Sequence, residues 1–247
     1  MSPPLGPVPA AAGPAGGASA ASVFAVAAEL IEVLAQRQAG ALAAAGRLLA
    51  GRLMAGGTVY VFGTGHSRSV ASELAGRAGG LMGIKEIVLE DVLALGLGSR
   101  DELQDGRLER RSEAAQALLG RTFTRDDDAF VIISHSGCNG APVEMALEAR
   151  RRGLPVVAIT SFSHSQAVAS RHPGGQRLME VADVCIDTCA PYADTAIKLT
   201  PELGVCSVSS FSGVLIAQAL TAEIVRCSLE AGAAPPLLVS RNLAGPA

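Results

Sequence analysis

Residues 59–67 read VYVFGTGHS, a short apolar run that ends in glycine, threonine and serine. Such a run predicts a buried strand that leads into a tight turn. Apolar runs of the same kind recur at residues 87–89, 129–133, 155–160 and 184–187. Segments with helical spacing separate them, and strands that are apolar throughout indicate a parallel sheet covered on both faces. The sequence therefore predicts an α/β fold: a three-layer αβα, doubly wound, five-stranded parallel sheet.

The chain before this sheet divides into a tail and two helices. Residues 1–19 are rich in proline, glycine and alanine and show no apolar period, which predicts a disordered tail. Residues 23–38 and 41–54 show helical spacing, with Gly40 and Gly56 as stops. We therefore expect one domain over residues 20–247 that begins with two helices.

The composition argues against several classes of protein. Lys and Arg number 20 against 23 acidic residues, and aromatic residues make up 3% of the chain. A nucleic-acid surface needs a concentrated basic face or stacking aromatic side chains, so we expect no nucleic-acid partner. The N-terminus lacks the positively charged segment of an export signal, which favours a cytoplasmic location.

A late apolar segment could suggest a membrane span, and the five cysteines could suggest a metal site. Residues 213–234 are apolar but carry Glu223, Arg226 and Glu230, which indicates a buried helix and no membrane partner. The five cysteines are odd in number and do not follow zinc-site spacing. We therefore expect reduced thiols in the core and no metal.

Serine follows three of the predicted strands, at residues 65–67, 134–140 and 161–165, and the first two of these segments also contain glycine. In a parallel sheet these turns share one edge, where helix N-termini and serine hydroxyls bind anions. Helix capping and turn formation are the simpler explanation for any one turn, but two such turns on one edge favour an anion site. The third glycine of a dinucleotide fingerprint is replaced by Arg68 and no P-loop is present, so no nucleotide cofactor is expected.

Two motifs resemble the signature of the SIS (sugar isomerase) domain: GTGHS at residues 63–67 and SHSG at residues 134–137. The likeness extends over residues 65–80, 134–148, 159–165 and 172–175 to a family of single-SIS-domain proteins. That family is related to N-acetylmuramic acid 6-phosphate etherases and sedoheptulose-7-phosphate isomerases. The resemblance implies a small-molecule sugar phosphate as ligand and a homo-oligomer, a dimer or tetramer.

The resemblance also implies which residues hold the sugar phosphate. Asn139 replaces a threonine that is usual late in the phosphate turn and is expected to serve in its place. Residues 201–207 resemble a sugar-contacting turn in the isomerase half of glucosamine-6-phosphate synthase. The residues then expected to bind substrate are Gly65, His66, Ser67, Ser134, Ser136, Asn139, Val205 and Ser207.

The catalytic residues are inferred in the same way. Residues 72–77 are similar to the segment that carries the catalytic glutamate of sedoheptulose-7-phosphate isomerases, which implies that Glu73 is the catalytic base. The alternative for Glu73 is an ion pair with Arg77, one helical turn away. His164 and Glu202 lie at turns on the same edge and are the candidates for a second acid/base group. His66 is a candidate to polarise the substrate carbonyl.

SIS enzymes share the removal of a proton next to an open-chain carbonyl and differ in the next step. Elimination from the neighbouring carbon, as in the etherases, makes the enzyme a lyase. We expect such a lyase, a dehydratase acting on N-acetylglucosamine 6-phosphate, which requires no metal or organic cofactor. The alternatives are an aldose–ketose isomerase of sugar phosphates and a non-catalytic sugar-phosphate sensor.

Overall fold

The computed structural model describes residues 17–240. Its main sheet has five parallel strands in the order β2-β1-β3-β4-β5. Their bounds are β1 Val59–Gly63, β2 Ile84–Ile87, β3 Ala129–Ile133, β4 Val156–Thr160 and β5 Val184–Asp187. The chain turns one way from β1 to β2 and the other way to β3, so a switch point lies between β1 and β3. The predicted doubly wound five-stranded parallel sheet is confirmed.

The α-helices of the described residues lie on both faces of this sheet. Their bounds are α1 Ala20–Met54, α2 Ser67–Leu74, α3 Arg100–Gln104, α4 Ser112–Arg121, α5 Gly140–Arg151, α6 Phe162–Ala167, α7 Leu178–Val181 and α8 Ser209–Glu230. Helices α1, α2 and α8 pack together on one face, while α4, α5 and α7 cover the other. Two short 3-10 helices, Leu89–Leu95 and Leu108–Arg110, connect β2 to α4 around α3.

The strands are apolar on both faces because helices cover both. In β1, Val59 and Val61 belong to the core beneath α1 and α8, whereas Tyr60 and Phe62 belong to the core beneath α4 and α5. This alternation is the two-residue period of a strand. The sheet interior is therefore closed to ligands, and binding sites are left to its edges and ends.

The prediction of two N-terminal helices is wrong. A single helix, α1, runs through Gly40 to Met54. A glycine inside a helix costs only about 1 kcal/mol relative to alanine, and the long contact of α1 with α8 outweighs that cost. Gly46 permits that contact, since an added Cβ would lie 2.6 Å from Cβ of Glu223. Of the predicted disordered tail, residues 1–16 lie outside the described residues.

Two further segments differ from the sequence-based expectation. Strand β2 lies earlier than the predicted residues 87–89, because Leu89 already begins a 3-10 helix. The segment with the sugar-contacting resemblance is part of an antiparallel hairpin, formed by β6 Thr195–Lys198 and β7 Gly204–Ser207. This hairpin leads directly into α8.

Helix α8 is long and apolar enough to span a membrane by length and composition, and it is the one such helix in the described part of the chain. One side of it packs against α1 and α2 as part of the core. The contact with α2 is close, since an added Cβ at Gly213 would lie 2.6 Å from Cγ2 of Val70. In this structure α8 is a core helix of the domain.

Candidate functional site

A cavity of about 540 Å³ opens at the carboxyl ends of β1 and β3, beside the switch point. We call it the main cavity. The turns after β1 and β3 and the start of α8 form most of its wall. All of the predicted substrate-binding residues except Val205 line it: Gly65, His66, Ser67, Ser134, Ser136, Asn139 and Ser207. A volume in this range is typical of small-molecule sites.

The turn after β3 combines two serine hydroxyls with a glycine in the left-handed conformation. The hydroxyl oxygens of Ser134 and Ser136 accept hydrogen bonds from the backbone N–H groups of Gly137 (3.2 Å) and Cys138 (3.4 Å). Gly137 has φ 60°, and an added Cβ would lie 2.7 Å from Oγ1 of Thr160. The turn therefore needs glycine at this position for both conformation and space.

Helix α5 begins at this turn without a side-chain cap. Its N-cap residue, Asn139, makes no capping hydrogen bond and instead donates its amide to Oε1 of Glu109 at 2.5 Å. The first N–H groups of a helix have no partner within the helix. The N-terminus of α5 thus has no side-chain cap, and its N-cap residue lines the main cavity, which is the kind of position at which anions bind.

The N-terminus of α8, on the opposite wall, is already occupied by a carboxylate of the protein. Asp194 accepts hydrogen bonds from the backbone N–H groups of Val208 (3.1 Å) and Ser209 (2.7 Å). Its other oxygen accepts from the hydroxyls of Ser207 and Ser209. We call the part of the cavity lined by Asp194, Ser207 and Ser209 the α8 wall, and the part lined by Ser134, Ser136 and Asn139 the α5 wall. Asp194 places a negative charge at the α8 wall, so an anionic ligand is favoured at the α5 wall.

Glu109 is a cavity residue that the sequence analysis missed. It comes from the 3-10 helix Leu108–Arg110 and is partly buried. Its Oε2 accepts the hydroxyl of Thr64 at 2.7 Å and its Oε1 accepts the amide of Asn139. Each carboxylate oxygen retains a further lone pair, so Glu109 can also accept a proton or hydrogen bond from a ligand.

Arg171 is a second missed residue of the main cavity. Its guanidinium donates to Oδ1 of Asn139 at 2.9 Å, and its backbone N–H donates to the carbonyl of Cys138 at 2.8 Å. It is the one Arg or Lys among the described residues that line this cavity. Arg171 thus places positive charge beside the α5 wall.

Two adjacent histidines, with their rings tilted at 54° to each other, lie at and behind the cavity wall. The rings of His135 and His164 are 4.7 Å apart, and Tyr192 stacks on His164 at 5.3 Å. Burial lowers the pKa of both His135 and His164, while the negative charge of Asp194 opposes the change. Both rings are therefore neutral near pH 7.

The three predicted catalytic residues do not line the main cavity. The carboxylate of Glu73 forms an ion pair with Arg77 and accepts the amide of Gln218 at 2.5 Å. His164 reaches the cavity only through its contact with His135. Glu202 follows β6 in the exposed hairpin loop and accepts the hydroxyl of Thr200 at 3.2 Å.

Two other predicted positions also differ from expectation. Val205 lies on β7, where its side chain is exposed outside the main cavity. Ser161 caps α6, since its hydroxyl accepts the backbone N–H of His164 at 3.2 Å, and it is fully buried. The turn after β4 therefore acts as a helix cap, which is the alternative that the sequence left open.

Comparison with known proteins gives three consistent likenesses. A family model described as an SIS domain matches residues 23–161. A UPF0309 protein from Caldanaerobacter subterraneus subsp. tengcongensis is 40% identical over 189 residues, which cover 75% of each chain. A phosphoheptose isomerase from Francisella tularensis aligns with a TM-score of 0.58 at 17% identity, over 83% of this chain and 96% of that one.

A fourth likeness is to a solved complex. The NanR protein of Vibrio vulnificus, complexed with ManNAc-6P, aligns with a TM-score of 0.51 at 17% identity. The match covers 84% of this chain and 62% of that chain. At these identities the two solved structures show a shared fold.

Proposed function

The chain belongs to the SIS-domain family, and from this premise we propose that its main cavity binds a phosphorylated amino sugar and removes a proton beside the sugar carbonyl. The position of Glu109 supports this proposal most directly. Glu109 is held at the wall of the main cavity by Thr64 and Asn139, and the same Asn139 begins the helix whose N-terminus suits a phosphate. A carboxylate and an anion site therefore share one cavity.

The phosphate is assigned to the α5 wall on electrostatic grounds. Helix α5 lacks a side-chain cap, and Arg171 adds a positive charge there, whereas Asp194 places a negative charge at the α8 wall. Ser134 and Ser136 add hydroxyl groups that line the same wall. In keeping with this class of ligand, the NanR complex contains ManNAc-6P, and the Francisella neighbour is a phosphoheptose isomerase.

We assign the base to Glu109 instead of Glu73. Among the described residues Glu109 accepts only from a neutral hydroxyl and a neutral amide, whereas the charge of Glu73 is paired with Arg77 and Glu73 does not line the main cavity. The proton leaves the carbon next to the open-chain carbonyl and moves to an oxygen of Glu109. The electron pair of that C–H bond forms the enolate, and hydrogen bonds from the cavity stabilise its charge.

The fate of the enolate defines the reaction. In the dehydratase that we favour, the electron pair expels the hydroxyl of the next carbon, and the proton held by Glu109 passes to that hydroxyl as water leaves. His164 would assist this transfer only through His135, because it does not itself line the cavity. In a sugar phosphate whose second carbon carries a hydroxyl, return of the proton to the carbonyl carbon and loss of that hydroxyl's proton would instead give a ketose, and the protein would be an isomerase.

Incubation of the purified full chain with N-acetylglucosamine 6-phosphate tests the proposal. We expect an unsaturated product with strong ultraviolet absorbance, identified by mass as the substrate less one water. Glucose 6-phosphate, whose second carbon carries a hydroxyl, tests the isomerase alternative: a ketose product of unchanged mass from that sugar would replace the dehydratase by an isomerase. Thermal stabilisation without turnover would make the protein a sensor, and the absence of both binding and turnover for any hexose 6-phosphate would reject the sugar-phosphate proposal.

A homo-oligomer, a dimer or tetramer, remains a prediction. The surface of the β6–β7 hairpin and the start of α8 support it, because large apolar side chains are exposed there: Tyr192, Leu199, Leu203, Val205 and Phe211. Ser207 belongs both to this hairpin and to the main cavity, so a second copy would border the site. Sedimentation equilibrium of the full chain, compared with a Leu203→Asp variant, tests this, and a monomer for the unaltered chain would reject it.

A further inference from the structure

A second cavity of about 270 Å³ adjoins the main cavity; we call it the side cavity. The two share Thr64, Gly65, His66 and Glu109, so the turn after β1 and the carboxylate of Glu109 form the partition between them. The side cavity continues beneath the 3-10 helix Leu89–Leu95 and helix α3. A ligand that contacts Glu109 in the main cavity thus lies next to the opening of the side cavity.

The side cavity has apolar walls and a surplus of negative charge. Leu89 and Leu103 supply the apolar surface. Its carboxylates are Glu90 and Glu109, and its one cation among the described lining residues is Arg68. That guanidinium is shared, since Arg68 donates to Glu90 at 2.7 Å and also to Glu86 at 3.1 Å, outside the cavity lining. The local charge is therefore negative, which opposes a second anionic group on a ligand.

The position of Glu109 determines which part of the sugar meets the side cavity. This step rests on the proposed function, in which Glu109 removes the proton from the carbon beside the carbonyl. In an amino sugar that carbon also carries the nitrogen substituent. With the carbon at the partition and the phosphate at the α5 wall, the nitrogen substituent is the group placed at the side-cavity opening.

We propose that the side cavity binds the neutral acylamino group of the sugar and excludes sugars that carry an anionic substituent there. Leu89 and Leu103 contact the acyl chain, and Glu90 and the exposed amide of Gln104 are placed to hydrogen-bond the amide. Apolar walls discriminate by the carbon atoms that they bury, and a buried like charge is penalised. The cavity is also many times the ~30 Å³ of one water molecule, so acyl chains longer than acetyl fit.

Binding of four ligands to the full chain, measured by isothermal titration calorimetry, tests this. The ligands are glucose 6-phosphate, N-acetylglucosamine 6-phosphate, N-butanoylglucosamine 6-phosphate and N-succinylglucosamine 6-phosphate, whose acyl chain ends in a carboxylate. We expect the butanoyl ligand to bind at least as tightly as the acetyl ligand. We expect the carboxylate-bearing ligand to bind about tenfold more weakly than the acetyl ligand.

Two variants assign these preferences to the side cavity. Leu103→Trp fills it. We expect this variant to bind the acylated ligands about tenfold more weakly, while its affinity for glucose 6-phosphate changes less than about twofold. Leu229→Trp is the matched control, because Leu229 is exposed on α8 and lines neither cavity. Glu90→Gln removes one negative charge without adding bulk. We expect the difference in affinity between the acetyl and the carboxylate-bearing ligand to become several-fold smaller in this variant.

The outcomes separate this inference from the proposed function. If glucose 6-phosphate binds but the acylated ligands gain nothing and Leu103→Trp weakens all ligands equally, the side cavity has no role in selection and the inference is overturned. If Glu90→Gln leaves the ratio of the affinities for the acetyl and carboxylate-bearing ligands unchanged, the charge argument is overturned, even if Leu103→Trp fails to fold. If none of the four ligands binds the unaltered chain, the sugar-phosphate proposal itself is rejected.

Discussion

Glu109 and Glu73 are both partly buried glutamates of the same domain, yet their surroundings differ in kind. Glu109 meets a hydroxyl and an amide at the wall of the main cavity, while Glu73 meets the guanidinium of Arg77 on the α2–α8 face. The carboxylate of Glu73 is therefore committed to an intramolecular pair. The hydrogen-bond donors around a carboxylate, more than its place in a motif, therefore indicate whether it can take part in chemistry.

The largest expected effect comes from neutralising each glutamate in turn. Glu109→Gln keeps the shape of the side chain but removes the proton acceptor, so we expect kcat to fall about 10²–10⁴-fold. Glu73→Gln is the matched control and is expected to change kcat less than about threefold. Steady-state turnover of N-acetylglucosamine 6-phosphate measures both. A larger loss in Glu73→Gln than in Glu109→Gln would return the base to Glu73.

A smaller effect is expected from the arginines of the two regions. Arg171→Ala removes the cation beside the α5 wall, and we expect roughly tenfold weaker binding of a sugar phosphate, with a smaller effect at high salt. Arg77→Ala removes the partner of Glu73 and is expected to leave that affinity unchanged. Calorimetric titration with glucose 6-phosphate compares them. Equal losses in the two variants would contradict the placement of the phosphate at the α5 wall.

The smallest effect is expected in stability as a function of pH. Burial lowers the pKa of His135 and His164 below the usual 6.5, so in this range the unfolded chain binds more protons than the folded one. Stability should therefore fall as pH drops through about 6.5, and it should continue to fall until the folded rings also protonate. The negative charge of Asp194 raises the pKa of both rings and so reduces this effect. His164 lowers the pKa of His135 and Arg171 lowers the pKa of His164, so these two groups increase it.

Thermal melts between pH 7.5 and 5.5 measure this dependence. We expect the melting temperature of the unaltered chain to fall by a few degrees and that of His135→Gln to fall less. Glu73→Gln is the control from the α2–α8 face and is expected to keep the slope of the unaltered chain. An equal slope in His135→Gln would show that the buried imidazole does not contribute.

Much of the site was predictable because its turns are local. Gly65 and Ser67 follow β1 directly and Ser134 and Ser136 follow β3, so an apolar run followed by glycine and serine places them at the carboxyl edge of the sheet. Glu73 lies outside the main cavity for a reason of helix geometry. The buried face of α2 consists of Val70, Ala71 and Leu74, and Glu73 lies off that face in the last turn, within reach of Arg77 and α8.

Glu109 and Arg171 carry no motif of their own. The available signal for Glu109 was weak: an acidic residue shortly before the start of α4, in a connection that follows a strand. It becomes a site residue only through hydrogen bonds to Thr64, 45 positions away, and Asn139, 30 positions away. Such contacts depend on how the connection crosses the sheet, which local spacing does not specify.

The amino-acid sequence by itself determined the parallel sheet and the serine- and glycine-rich turns at its carboxyl edge, since apolar runs and turn residues act over a few neighbouring positions. Only the tertiary structure decided which carboxylate and which arginine reach the main cavity. It also decided that Asp194 occupies the N-terminus of α8 while the N-terminus of α5 has no side-chain cap. These choices depend on side chains from distant segments meeting at one place, and packing of the whole domain is what brings them together.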